Sequence, residues 1–157
     1  MEKLTIGDRF SLVCPEGFRT LTEKERSKLN MLGGGESLCL TNEGNHIVAS
    51  IAWKEVNAVA GLLLRLISPA TSAEANVNRA MTPFGYRKET VLSRQIGGQS
   101  AEGFRYTYTA GGTPMVGETY VVRQGRSLVF FHGYIRGDRR DEYLAQWNGL
   151  LDAVEPR

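Results

Sequence analysis

Ser127-Leu128-Val129-Phe130-Phe131-His132-Gly133-Tyr134-Ile135 decides the fold. The stretch is rich in β-branched and aromatic residues, the composition that strands favour. Successive side chains of an extended chain point to opposite sides. Leu128, Phe130 and Tyr134 therefore face one way, and Val129, Phe131 and Ile135 the other. A strand that is apolar on both sides must be covered on both sides, which predicts a central position in its sheet.

Working outward, three more strand-like segments lead into it. The meander reads as 87–96, 100–110, 115–123 and 127–136, punctuated by Gly97-Gly98, Gly111-Gly112 and Gln124-Gly125. Connections this short make neighbouring strands antiparallel. Downstream, Tyr143, Leu144, Trp147, Leu150, Leu151 and Val154 recur at helical spacing and form a broad apolar stripe that must dock on the sheet. Asp138 is placed to cap that helix.

Upstream, Phe10-Ser11-Leu12-Val13-Cys14 alternates as a strand, ended by Pro15-Glu16-Gly17. Thr22-Glu23-Lys24-Glu25 is a capping box, and its helix is expected to stop before Gly33-Gly34-Gly35. Segments 37–41 and 46–53 form a hairpin around Asn42-Glu43-Gly44-Asn45, with His46 read as a solvated turn residue. The stretch 57–67 is apolar almost all round and is ended by Ser68-Pro69; a short buried helix is one reading, and periodicity does not decide it over such a run. Ser72 then caps a helix whose Val77, Ala80, Met81 and Phe84 share one face, and Pro83 and Gly85 close it. The order is β-α-β-β-(α)-α-β-β-β-β-α. This is one α+β domain over residues 1–157, a mainly antiparallel sheet with helices on both faces, an α/β/α sandwich.

Composition excludes several function classes. The 157 residues suffice for a real core, and a net charge of +2 from intermixed acids and bases leaves no footprint for nucleic acid. The apolar run 58–67 is broken by Arg65 and is about half the length of a membrane span. Met1-Glu2-Lys3-Leu4-Thr5 lacks the apolar run of a signal peptide, an expectation of cytoplasmic location. Cys14 and Cys39 belong to no metal-ligand spacing. They read either as two small buried thiols or as a disulfide. No metal and no cofactor are expected.

Several local features resemble those of the PsbP-like superfamily, which takes in the PsbP subunit of photosystem II, the Ran-binding Mog proteins and bacterial DcrB-type proteins. Phe10-x-Leu-x-Cys-Pro15-Glu16-Gly17-Phe18 resembles its opening strand and turn, and a Ser-capped helix precedes Gly85-Tyr86. Ile96-Gly97-Gly98-Gln99-Ser100-Ala101, with Phe104-x-Tyr-x-Tyr108, is similar to its first long hairpin. The resemblance spans most of the chain and is carried by packing and turn residues. It implies the same sandwich and a non-catalytic binding or assembly role. It carries over no ligand.

No Ser/His/Asp, HExxH or Walker pattern is present, and Gly33-Gly34-Gly35 lacks the Lys-Ser/Thr of a phosphate loop. One polar arrangement stands out. A two-residue turn at Gly111-Gly112 sets Arg105 opposite Glu118, and a three-residue turn at Gln124-Gly125-Arg126 sets Glu118 opposite His132. Facing residues on adjacent strands lie about 5 Å apart on one side of the sheet. Arg105, Glu118 and His132 then form a row flanked by Tyr120, Phe130 and Tyr134, with Arg136 continuing the face. The row is either the polar floor of a ligand site or a buried ion pair beneath a helix. A slip of one residue dissolves it. The aromatics Tyr106, Tyr108, Tyr120, Tyr134, Trp53 and Trp147 read either as packing or as an apolar pocket.

The leading expectation is a non-catalytic domain binding a protein partner or a ligand through a sheet face or rim. A ligand-binding protein or enzyme using the Arg105–Glu118–His132 face is the alternative, and a self-associating homodimer a third.

Overall fold

The computed structural model describes residues 3–27, 36–59, 62 and 68–157. Strands β1 (Lys3–Ile6), β2 (Phe10–Val13) and β3 (Phe18–Thr20) come first, then helix α1 (Glu23–Ser27) and the hairpin β4 (Glu36–Asn42) and β5 (Ile47–Glu55). Helix α2 (Pro69–Met81) leads into the meander β6 (Arg87–Ile96), β7 (Gln99–Ala110), β8 (Thr113–Gln124) and β9 (Ser127–Arg136). Helix α3 (Arg140–Asp152) and strand β10 (Val154–Pro156) finish the chain.

The large sheet has the order β3-β4-β5-β9-β8-β7-β6, with every pairing antiparallel. The two-sided strand β9 is thus the middle of seven. Its two apolar sets feed two separate cores. Val129, Phe131 and Ile135 join Phe10, Leu12, Ile51 and the α3 residues Tyr143, Leu144, Trp147, Leu150 and Leu151. Leu128, Phe130 and Tyr134 join Phe104, Tyr106, Tyr108 and the α2 residues Ala73 and Val77. The helices therefore cover opposite faces, as the apolar pattern of β9 requires.

Local chemistry explains most boundaries. The capping box at the start of α1 is formed: the Glu25 amide donates to Thr22 Oγ1 at 3.2 Å, and the Thr22 amide donates to Glu25 Oε1 at 3.0 Å. Helix α2 is capped four residues earlier than Ser72, the cap expected from the sequence. Ser68 is its N-cap, accepting from the Ala70 amide at 3.2 Å, and Pro69 occupies the first turn, where its missing N–H costs nothing. Asp138 does not cap α3. It lies in a 3-10 turn, Gly137–Arg139, without a side-chain cap bond, and pairs with Arg136 at 3.4 Å.

A second sheet, order β1-β2-β10, lies outside the sequence expectation. Val154, assigned above to the stripe of the last helix, is in β10 opposite Leu12. No disulfide joins Cys14 and Cys39, and the Cys14 thiol donates to the Phe18 carbonyl at 3.2 Å. The glycines 33–35 lie outside the described residues, as does the stretch 57–67 apart from 57–59 and 62. No helix among the described residues is long and apolar enough to cross a membrane.

The seat of α3 depends on a missing side chain. A methyl group on Gly133 would meet the Trp147 ring at 2.8–3.0 Å, closer than carbon atoms pack. Gly133→Ala is expected to lower folding free energy by about 1–3 kcal/mol in urea denaturation, since a full core cannot absorb it. Gly149→Ala in the same helix, where nothing lies within 4 Å of the added carbon, is the control and should be neutral or stabilising.

Candidate functional site

The proposed polar row divides between the two faces of the sheet. Arg105 does lie opposite Glu118, as the Gly111-Gly112 turn requires. The β8–β9 turn, however, has two central residues rather than three: Gln124 pairs with Ser127. Gly125 takes a φ of +62° and Arg126 a negative one, the pattern of a turn with glycine at its first central position. The shift of one residue sets Glu118 opposite Gly133 and His132 opposite Thr119. Arg105, Glu118 and Tyr120 are thus on the α3 face, and His132, Tyr134 and Arg136 on the α2 face.

On the α3 face Glu118 is 1% exposed. Arg105 Nε donates to its Oε2 at 2.7 Å, and Trp147 Nε1 donates to its Oε1 at 3.0 Å. The space over Gly133 admits the indole, so Arg105, Glu118 and Gly133 form the true row, with Trp147 standing on its empty end. Around it the helix is pinned by further ion pairs. A bulge between Lys88 and Thr90 takes Glu89 out of the ladder, and Glu89 pairs with Arg140 and lies 3.7 Å from Arg105. Arg94 binds Asn148 at 2.9 Å and pairs with Asp152.

On the α2 face His132 is 4% exposed and shares a hydrogen bond of 2.9 Å between its Nδ1 and Thr119 Oγ1. Its ring lies between Phe130 and Tyr134, each centroid 6.2 Å away. Burial among uncharged groups pushes its pKa down to about 4. The six aromatics do not line one pocket. Tyr106, Tyr108 and Tyr134 belong to this face, whereas Tyr120, Trp147 and Trp53 belong to the other.

One open cleft, of ≈ 540 Å³, lies at the end of the sheet, between the Pro15–Phe18 turn, the β4–β5 connection and the outer turns of α3; another, of ≈ 640 Å³, lies between the β1–β2 turn and Trp53. His46, read from sequence as a solvated turn residue, forms the wall of the first. Its ring stacks on Tyr143 at 5.0 Å, and its Nδ1 shares a 2.9 Å hydrogen bond with the Tyr143 hydroxyl. Asn42 Oδ1 accepts from the His46 and Ile47 amides, both at 2.8 Å, and Asn42 Nδ2 donates to Gln146 Oε1 at 3.1 Å. Exposed Glu16, Glu43, Glu142 and Arg139 border it. Arg139 pairs with Glu142 at 3.8 Å, while Glu16 and Glu43 have no ion pair among the described residues. The turns at Pro15–Phe18 and Asn42–Asn45 are legible one by one, but no sequence motif joins them to α3, because the cleft's residues come from three distant segments.

Among the described residues no cluster of His, Cys, Asp and Glu could hold a metal ion. No protein-family model matches the chain, and no curated protein does. Solved structures do. Cyanobacterial PsbP (CyanoP) from Synechocystis sp. PCC 6803 matches with a TM-score of 0.64 at 14% identity, over 98% of this chain and 90% of that one. The chain has a PsbP-like fold. The Saccharomyces cerevisiae Ran-binding protein Mog1p matches at 0.57 and 11% identity, over 99% of this chain and 95% of its own. LpqN of Mycobacterium tuberculosis, involved in cell envelope biogenesis, matches at 0.50 and 13%, over 94% and 82%. At these identities the PsbP-like likeness is one of fold.

The buried imidazole makes stability depend on pH. Its pKa falls from 6.5 when unfolded to about 4 when folded, so the unfolded chain binds the proton first. The contribution is complete above pH 6.5 and is lost as pH falls towards 4, to a total of about 3 kcal/mol. His132→Phe should flatten that part of the stability profile relative to the parent protein, followed by urea denaturation at stepped pH. Parallel profiles would show that His132 takes up its proton as readily folded as unfolded, contrary to its burial.

Proposed function

We propose that the chain is a non-catalytic binding module whose end cleft receives a basic segment of a protein partner. The observation that carries this reading is the unbalanced acidity of a preformed cleft. Glu16 and Glu43 stand exposed at its border without ion pairs among the described residues, over a floor held by the His46–Tyr143 and Asn42–Gln146 hydrogen bonds. A rigid floor spares the partner the cost of ordering it, and the carboxylates draw in a cation and orient it.

Two observations support a binding role over catalysis. The buried acid Glu118 is bonded to two donors, and the buried base His132 is bonded to Thr119 on the other face, so the two cannot act on one substrate. The solved structures of like fold include a protein named for binding Ran. A partner-binding role for this chain is consistent with that name.

The test is titration of the protein with a tri-arginine peptide, followed through backbone amide resonances. The expected shifts are saturable, centre on Gly17, Glu43, His46 and Gln146, and weaken as salt is raised. Glu43→Lys should weaken binding about fivefold, the scale of one rim charge. Shifts scattered over the surface, or equal affinity for Glu43→Lys, would contradict the proposal.

A further inference from the structure

The polar accounting of the α2 face is incomplete in one place. Buried polar groups are nearly always paired, and each exception calls for a cause. Among the described residues four buried side-chain atoms have no hydrogen-bond partner: the hydroxyls of Tyr86 and Tyr106, Gln124 Oε1 and Arg136 Nε. Gln124 is at the far end of β8. The other three belong to one side of the sheet and one end of it. Tyr106, Gly117 and Tyr134 form one register row across β7, β8 and β9, and Tyr108, Met115 and Arg136 form the next row on the same face. The Tyr86 ring lies tilted against Tyr106, with centroids 5.2 Å apart and planes at 33°. Gly117 is what lets the Tyr106 ring lie across β8, because any side chain there would overlap it.

All three unpaired groups can donate, and Arg136 Nε can only donate. Tyr106 is 0% exposed, and its phenol is held protonated by burial, so it stays a donor. Phenylalanine would pack equally well there without an unpaired hydroxyl. The side chains closing this corner are adaptable: Met81 from α2 and Met115 from β8 are only partly buried, and unbranched thioethers reshape readily around a guest. Arg136 stands at the rim with its side chain 42% exposed, where it can meet a charge that is not fully dehydrated.

We propose that the corner formed by Tyr86, Tyr106, Tyr134 and Arg136 under α2 binds a small apolar carboxylate. The carboxylate sits at the rim against Arg136, and the phenol hydroxyls donate to its oxygens. The apolar body takes the space of Met81 and Met115, which swing outward. Arg136 has a competing partner, Asp138 at 3.4 Å, itself exposed and therefore readily exchanged for a better-placed anion. This site is on the opposite side of the sheet from α3, and it stands whether or not a partner enters the end cleft.

The test uses benzoate as probe, with toluene as the same body lacking the carboxylate. Titrated into the full chain, benzoate should produce saturable shifts of the Tyr86, Tyr106 and Arg136 resonances at millimolar concentration or below. Toluene should produce none. Tyr106→Phe should bind benzoate at least fivefold more weakly, yet melt at a higher temperature than the parent when free, because an unpaired buried hydroxyl has gone. Tyr86→Phe is the second variant with the same expected direction, should the first fail to fold. Arg136→Gln should weaken benzoate by a further margin and leave the toluene result unchanged. Absence of saturable benzoate binding, equal binding of toluene, or benzoate affinity within twofold of the parent in the phenylalanine variants would each overturn the proposal.

Discussion

One buried carboxylate positions the rest of the molecule. Glu118 is in the middle of the large sheet and almost sealed from water, with Arg105 on one oxygen and the Trp147 indole on the other. Taking such a charge out of water is costly, and its attraction to Arg105 does little more than offset that cost. What the arrangement adds is uniqueness. Apolar residues of α3 would pack acceptably at several offsets, but only one offset brings an indole N–H to Glu118 and lays the ring over the side-chain-free Gly133. Arg140–Glu89 and Arg94–Asp152 then set the two ends of the helix.

The consequence reaches the surface. Tyr143 precedes Trp147 by four residues, and one helical turn places both on the same side of α3. When Trp147 is seated, Tyr143 meets His46 and Gln146 meets Asn42, closing the floor of the end cleft. The cleft therefore depends on a contact in the centre of the sheet. The opposite face is organised differently: its helix presents small residues, Ala73 and Val77, to a bed of large aromatics, and the imidazole of His132 is kept neutral by its burial.

Much of this was legible in the amino-acid sequence, for local reasons. The four meander strands are bounded by glycine turns, and the two-sided apolar pattern of β9 placed it at the centre of the sheet. The capping box at Thr22 and Glu25 needs only adjacent residues. The small sheet was not legible, since β1 and β10 are four and three residues long and meet β2 from opposite ends of the chain. Ser68-Pro69 was read as an end when it is a beginning, because proline punctuates both. The candidate row turned on a single residue. Gln124-Gly125-Arg126-Ser127 can be read as a two- or a three-residue turn, and the period of two in a strand sends every side chain of β9 to the other face when the reading changes. Arg105 and Glu118 were correctly joined, His132 was not, and the residue that mattered in its place was a glycine, invisible to a search for chemistry.

The central claim is that the Trp147–Glu118 hydrogen bond fixes the seat of α3. A double-mutant cycle of Glu118→Gln and Trp147→Phe, measured by urea denaturation, tests it most directly. The account predicts a coupling energy of about 1–3 kcal/mol, the scale of a buried hydrogen bond to a charged group. Effects of the two substitutions that simply add would contradict it.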